Sequence, residues 1–596
     1  MLTGLLRRLV ARIGAKSAAR AGGGDAARAP ATATAWVELG IVHTKAGDLA
    51  DAVIAFERAL AIEPASIPAL HGRAVLDHLA GENAEAIELC DQVLARAPAH
   101  LDAWCTRALA AHTLGRLDEA LAGFRNAVAI EARSGLISCV AGILFQQGRI
   151  EDAIAEIDRA LAADPEADFI HSNRLFMLNH DPRVGRETLA RAHLDWGRGV
   201  EARTAAFRHA HTNDRDPARR LRVGYVSADL RLHSVAFFIA PVLEHHDRDA
   251  VEIFCYDNQG GRGDAFTERL RALADHWIRV STLDDDAMAA RIRADRIDVL
   301  VDLSGHTGGN RLPVFARKPA PVSASWFGYM NTTGLTTIDY RITEATFCPP
   351  GSEPYYSETL FRVPVTVAWS PAPECPDAGV SPLNLNGHAR FGSFNNWAKV
   401  SDAAIALWAR ILSRCPGAVL QVIAAGGDTD VVRAAIAARF ACHGVGAARL
   451  MIDGVKPLHD FLRLVAGVDI ALDPFPYNGG TTTLHTLWMG VPVISLRTDE
   501  EVGRVSAELL DSVGLADLCA PDADAYVEAA VALAADRGRL DGLRRGLRAR
   551  MQTGRIMDGA TMAANLEKAY RAMWLNWLDD TRSRTEVAGV RAGFVS

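Results

Sequence analysis

Val468 to Val493 reads VDIALDPFPYNGGTTTLHTLWMGVPV. An apolar run, Ile470 to Leu472, leads through Asp473 and two prolines into Asn478-Gly479-Gly480-Thr481-Thr482-Thr483, and an amphipathic segment and a second apolar run, Val491 to Leu496, follow. This order predicts strand, Gly/Thr turn, helix, strand. An α/β domain uses that unit to turn backbone N–H groups at a helix N-terminus toward an anion. Two glycines let a ligand approach the backbone. The stretch predicts a phosphate cradle; an ordinary βα turn capped by threonines is the alternative.

Upstream, the same alternation repeats. Ala389 to Phe394, Val419 to Ile423 and Leu450 to Ile452 read as strands of one series, and Pro371 to Gly387, rich in Pro, Asn and Gly, reads as a linker before it. An earlier series begins with Leu221 to Ser227 and continues through strands at Val251 to Tyr256, Ile297 to Leu303 and Val322 to Phe327, with a helix at Asp264 to Asp275. Alternating strands and helices predict parallel sheets. Two such domains in tandem predict a ligand in the cleft between them, because open α/β sheets bind at the carboxyl ends of their strands. Ser304-Gly305-His306-Thr307 stands at one such end.

The first third of the chain follows another rule. Gly47, Gly81, Gly115 and Gly148 are spaced by 34, 34 and 33 residues. Ala52, Ala86, Ala120 and Ala153 stand five residues after them, and Ala59, Val93, Ala127 and Ala160 twelve after. Pro64, Pro98 and Pro165 close three of the four units. A period of 34 with small residues at helix contacts is the tetratricopeptide (TPR) signature: helical hairpins that bury their apolar faces against one another and leave a concave binding groove. Such an array binds a protein, or dimerises or braces the rest. The polar run His209 to Arg220 separates it from the α/β series.

Bulk composition narrows the function class. The 596 residues require several domains, and a net charge of −8 argues against a nucleic-acid partner. No apolar run approaches the roughly 20 residues of a membrane span. The N-terminus, MLTGLLRRLVARIGAKSAAR, is basic and weakly amphipathic; its arginines make it a poor secretory signal, which leaves a frayed tail or a loose membrane-surface contact. Nine scattered cysteines without a C-x-x-C pair suit reduced cytoplasmic thiols and no metal site. Trp574 and Trp577 lie in a predicted helix, Thr561 to Asp579, where they read as core packing.

TPR repeats followed by LRVGYVSADLRLHS, DLSGHTGGNRLPVFARKPAPVSASWFGY, FGSFNNWAKVS, ALDPFPYNGGTTTLHTLWMGVPV and RVSAELL resemble the TPR-linked protein O-glycosyltransferases of glycosyltransferase family 41. That family includes O-GlcNAc transferases, SPINDLY-type O-fucosyltransferases and bacterial relatives. The resemblance implies an α TPR solenoid followed by an α/β GT-B fold, two Rossmann-like domains with parallel sheets, and a C-terminal helix. The domains expected are residues 1–33, a flexible basic N-terminus; 34–180, TPR repeats; 181–220, a helical linker; 221–377 and 388–560, the N-terminal and nucleotide-sugar-binding Rossmann-like domains; and 561–596, a C-terminal helix and tail.

The resemblance further implies metal-independent, inverting transfer to a Ser or Thr hydroxyl, with the nucleotide-sugar a substrate and no cofactor. Lys399, in Phe394-Asn395-Asn396-Trp397-Ala398-Lys399, matches the family lysine at the donor diphosphate, with Asn396 beside it among the donor-binding residues. Thr481 and Thr482, after Gly479 and Gly480, match the paired threonines at the phosphates. His233 matches the histidine of the first βα loop, and His306 is expected to face the same cleft; either suits proton transfer or a hydrogen bond to the donor.

Departures from the family pattern cluster at the nucleoside and sugar. His485 stands where O-GlcNAc transferases place an acid at the ribose, and Phe461 where they stack a histidine on the uracil. Gly480 replaces the histidine before the threonine pair, and Gly328-Tyr329-Met330-Asn331 replaces Gly-Tyr-Pro-Gly. A phosphate grip with a remodelled nucleoside end suits a CMP-nonulosonate donor and, by resemblance to bacterial members with few TPRs, flagellin as the protein acceptor. UDP-GlcNAc and other acceptor proteins are the alternative, as is a TPR scaffold with an inactive GT-B half. A homodimer is left open.

Overall fold

The structure is a computed structural model that describes residues 30–592 apart from 262, 366, 373 and 374, with side chains described to residue 579. The basic N-terminal stretch, with its tail and membrane-surface readings, lies outside the described residues.

The 34-residue period becomes four helical hairpins: Ala33–Ala46 with Leu49–Ile62, Ile67–Ala80 with Asn83–Arg96, Leu101–Thr113 with Leu117–Ile130, and Ser134–Gln146 with Ile150–Ala163. Each turns at the repeating glycine, where φ lies between +73° and +95°. The eight small residues picked out by the spacing are fully buried between helices. Phe56 fills the first hairpin because Gly40 and Gly72 carry no Cβ, which would stand 2.9 and 2.5 Å from its ring.

The chain divides into two compact units. One runs to Ile170 and takes in Ala424–Ala435 and Ile452–Val455; the other holds His171–Ile423, Ile436–Met451 and the chain from Lys456. The second contains two sheets. The first is built from β1 (Leu221–Ser227), β2 (Val251–Asp257), β3 (His276–Arg279), β4 (Val299–Asp302), β5 (Val322–Trp326), β6 (Tyr340–Thr343) and β7 (Thr359–Arg362), in the order β3-β2-β1-β4-β5-β6-β7 with every neighbour parallel. The other is built from β8 (Arg390–Ser393), β9 (Val419–Ile423), β10 (Leu450–Asp453), β11 (Ile470–Leu472), β12 (Val493–Leu496) and β13 (Cys519–Ala520), in the order β10-β9-β8-β11-β12-β13. In it β8 runs parallel to β9 and β11, and β12 to β11 and β13. Both sheets reverse strand order at their first strand, β1 or β8, the switch point that opens a crevice at the carboxyl ends. This is the tandem arrangement the resemblance implies.

Four strands, β3, β6, β7 and β13, are absent from the sequence-based reading. Each is two to four residues long, and β3 and β7, at the sheet edge, begin and end on polar residues, His276 and Arg279 or Thr359 and Arg362, that break the apolar signal. The expected linker at Pro371 to Gly387 contains a short helix, Pro382–Asn386. The last helix, Gly559–Ala592, returns to the first sheet: Tyr570 OH lies 3.0 Å from Tyr225 OH of β1, and Trp574 is fully buried and stacked on Trp577 at 4.9 Å. Among the described residues no helix is long and apolar enough to cross a membrane.

The helix Arg186–Thr204 is held to the loop after β5 by a buried polar chain. His193 Nδ1 donates to Leu189 O at 2.7 Å, so Nε2 accepts from the Tyr329 hydroxyl at 2.8 Å, which in turn accepts from Asn179 Nδ2 at 2.6 Å. These bonds require a neutral imidazole, and burial lowers the His193 pKa to about 4. An unfolded chain titrates this group near 6.5. Its contribution to stability is therefore complete above about pH 6.5 and is lost as pH falls toward about 4, by about 1.4 kcal/mol per pH unit at most. The urea midpoint is expected to fall between pH 7 and 5, and to fall less in His193→Gln; an equal fall in both would assign the loss to other groups.

Candidate functional site

The turn after β11 is built around Asp473, which is 1% exposed. Its Oδ1 accepts from Gly479 N at 2.8 Å and Asn395 Nδ2 at 3.2 Å, and its Oδ2 from Ser495 Oγ at 2.8 Å. The loops after β8 and β11 and the strand β12 are thereby tied to one carboxylate. Burial raises its pKa, opposed by hydrogen bonding from Ser506, Gly479 N and Ser495 and by the Lys399 charge. Gly479 is required by this packing: a Cβ would stand 2.5 Å from Thr483 Oγ1 and 3.0 Å from Asp473 Oδ1. The turn itself therefore requires glycine here.

Gly480 is the residue that leaves space. A Cβ there would meet only Val505, at 3.6 Å. As N-cap of the helix Thr481–Trp488 it contributes no side chain to the first N–H groups, so these donors remain for a ligand. Gly480, Thr481 and Thr482 line a cavity of about 210 Å³ together with Lys399, Tyr477, Asn478 and, from the first sheet's half, His233, Phe238, Phe327, Met330, Phe347 and Val367.

Lys399 ends the turn Trp397–Lys399, which follows β8. Its Nζ donates to Asn478 O at 2.7 Å and stands 4.0 Å from the centre of the Tyr477 ring, which also stacks with His180 at 4.7 Å and 25°. Burial lowers the lysine pKa to about 8, with Asp473 opposing. At neutral pH it is largely protonated, with two N–H bonds beyond the one given to Asn478. The same positive charge, after burial, lowers the His180 pKa to about 3. Asn396 is exposed and caps this turn, accepting from Ala398 N at 3.1 Å.

His233 is the N-cap of the helix Ser234–His245 and borders the cavity. Its Nδ1 has two candidate partners with opposite demands. Val235 N, at 3.4 Å, requires an acceptor; Asp229 Oδ2, at 3.7 Å, requires N–H. Burial lowers the pKa of this ring, with Asp229 raising it and Arg231 lowering it.

His306 is elsewhere. It is 1% exposed, packed against His193, Trp196 and Tyr329, and does not line the cavity. Nε2 donates to Thr333 O at 2.9 Å and Nδ1 accepts from the Ser172 hydroxyl at 3.0 Å. Burial holds its pKa well below the usual value, so the expected cleft histidine is a neutral, fully bonded core residue.

Phe461 and His485 also stand outside the cavity wall, 6.3 Å apart. His485 is buried edge-on against Phe237 and Trp369, with its pKa lowered to about 4 by burial and no hydrogen-bond partner on Nδ1. Sequence reading missed Tyr477, whose place between two prolines' turn and an Asn-Gly pair was a usable signal. It also missed His180 and the apolar wall, which reach the site only through the tertiary fold.

Comparison with known proteins places the chain in a family. The Glycosyl transferase family 41 profile matches residues 165–368 and 386–566, and Tetratricopeptide repeat profiles match residues 33–66 and 80–135. The chain is 36% identical over 424 residues to a probable UDP-N-acetylglucosamine–peptide N-acetylglucosaminyltransferase SPINDLY of Solanum lycopersicum, covering 70% of this chain and 45% of the relative. It is 30% identical over 368 residues to the corresponding probable transferase SEC of Arabidopsis thaliana, covering 60% and 37%. The chain spans less than half the length of these curated relatives. Among solved structures, a Lys-to-Met mutant of Thermobaculum terrenum O-GlcNAc transferase superposes with a TM-score of 0.80 at 35% identity, covering 87% of this chain and 99% of that one.

Proposed function

The chain belongs to glycosyl transferase family 41, and from that premise we propose that it is an inverting, metal-independent protein O-glycosyltransferase. The solenoid holds a protein acceptor, and the cavity moves a sugar from a nucleotide-sugar donor to a Ser or Thr hydroxyl. The observation that carries this is the convergence of the Lys399 ammonium, the uncapped helix start at Gly480 to Thr482, and His233 on one cavity. The hydroxyl attacks the anomeric carbon as the bond to the donor phosphate breaks. Lys399 and the N–H groups of Thr481 and Thr482 stabilise the charge that grows on the departing phosphate. When Asp229 holds Nδ1–H of His233, Nε2 is the free acceptor for the hydroxyl proton.

For the donor, a CMP-nonulosonate is supported by sequence position: by the family resemblance, His485 and Phe461, which lie behind the cavity wall, replace a ribose-binding acid and a uracil-stacking histidine. UDP-GlcNAc is the second reading, supported by the likeness to the Thermobaculum terrenum O-GlcNAc transferase. Flagellin is the first acceptor to try. The full chain incubated with acceptor and each donor is expected to add the mass of one or more sugars, read by intact-protein mass spectrometry, and the increment names the donor. A folded protein that binds neither donor by calorimetry and leaves the acceptor mass unchanged would refute the transferase reading.

A further inference from the structure

Phe327, Met330, Phe347 and Val367 form a wall shared by the main cavity and a second, smaller one of about 30 Å³. That volume is on the scale of one or two water molecules, and so of a carboxylate. Arg341, on β6, lines it and is 5% exposed. Its Nη2 donates to Tyr329 O, its Nη1 reaches Ser325 Oγ only at 3.5 Å, and its Nε is buried with no partner.

The charge is also uncompensated by an ion pair among the described residues. Glu501, the carboxylate on the same small cavity, is engaged by Arg186. Asp302, within range of the Arg341 field, accepts from the backbone N–H groups of Ser304 and Gly305 at 3.2 and 2.7 Å. The same field reaches the Tyr477 phenol in the main cavity. A buried guanidinium with an unused donor is costly unless an anion meets it. The phosphate elements, Lys399 and the helix start at Thr481, stand on the second sheet, whereas Arg341 is on the first.

We propose that Arg341 receives a carboxylate carried by the sugar, so that the site takes a nucleotide-activated sugar acid. This rests on the donor-site reading above and adds a specificity residue to it. The planar guanidinium matches a planar carboxylate in shape and charge, which a neutral sugar does not offer.

The test is calorimetry on the full chain with CMP-N-acetylneuraminate, its methyl ester, CMP and UDP-GlcNAc. Wild-type protein is expected to bind the acid about 10-fold or more tighter than the ester, as suits hydrogen bonds to a charged group. Arg341→Gln is expected to remove that difference and leave CMP affinity unchanged. Equal affinity of wild type for acid and ester overturns the proposal, and this comparison stands even if the variant does not fold. A parallel loss of CMP affinity in Arg341→Gln also overturns it, assigning Arg341 to support of the Tyr329 loop. Binding of UDP-GlcNAc but not of the sugar acid overturns the sugar-acid proposal alone, whereas binding of no nucleotide at all overturns the donor-site reading beneath it.

Discussion

Lys399→Ala is expected to lower the transfer rate by about 10²–10³-fold, the loss typical of removing one preorganised donor from a developing oxyanion. The lysine is placed for this work before any donor arrives. Its Nζ is held by Asn478 O at 2.7 Å and by the Tyr477 ring at 4.0 Å, in a cavity whose remaining wall is largely apolar. Charge stabilisation there is stronger than in water and needs no reorganisation. Because burial lowers the pKa to about 8, the cation is present at neutral pH and lost as pH rises through about 8. Activity should decline on that alkaline limb in the wild type, and the limb should vanish from the residual rate of the alanine variant. Lys399→Arg should not restore the rate, since a planar fork cannot occupy the ammonium's place between Asn478 O and the Tyr477 face. Single-turnover rates across pH, with circular dichroism to confirm folding, make the check. An alanine variant with wild-type rates would remove Lys399 from the chemistry.

Asp473→Ala is expected to cost ~3 kcal/mol of stability and to abolish donor binding, because three donors lose their acceptor in a buried site. Gly479 N, Asn395 Nδ2 and Ser495 Oγ all converge on this carboxylate, and with it goes the geometry that presents Gly480 and Thr481 to the cavity. Asp473→Asn separates shape from charge. The amide oxygen can still accept from Gly479 N, and its NH₂ can donate to the Ser495 hydroxyl, so the asparagine should lose less than half as much. Urea midpoints and nucleotide titrations of the two variants decide the matter; an alanine variant as stable as wild type would show that water replaces the carboxylate.

Asp473 falls in the stretch with which the sequence reading begins, and shows its reach. Strand, turn and helix are legible there because apolar run length, prolines and the Gly/Thr turn act over a few residues. The TPR hairpins are legible for a related reason: each repeat meets the same neighbours, so the same small residues recur every 34 positions and emerge fully buried. Lys399, Thr481 and Thr482 follow from motif order, and the structure brings them to one cavity.

What local pattern could not decide is the environment of each polar side chain. His233 and His306 look equivalent as residues after strands of one sheet. One borders the cavity beside Asp229; the other is sealed among His193, Trp196 and Tyr329 with both nitrogens bonded. Gly479 and Gly480 are adjacent, yet one fills a turn and the other opens a space. Tyr477 meets His180, and the Arg341 Nε is left without a partner among the described residues, because segments far apart in the chain pack there. The sequence by itself determined the repeats and the two parallel sheets, since these depend on local periodicity and short-range geometry; the roles expected of Lys399, Thr481 and Thr482 came from the family resemblance. The tertiary structure alone decided which histidine borders the cavity, which glycine leaves open space beside it and which buried guanidinium has no ion pair among the described residues. Burial and proximity are set by the whole fold, and they govern desolvation, tautomer and pKa.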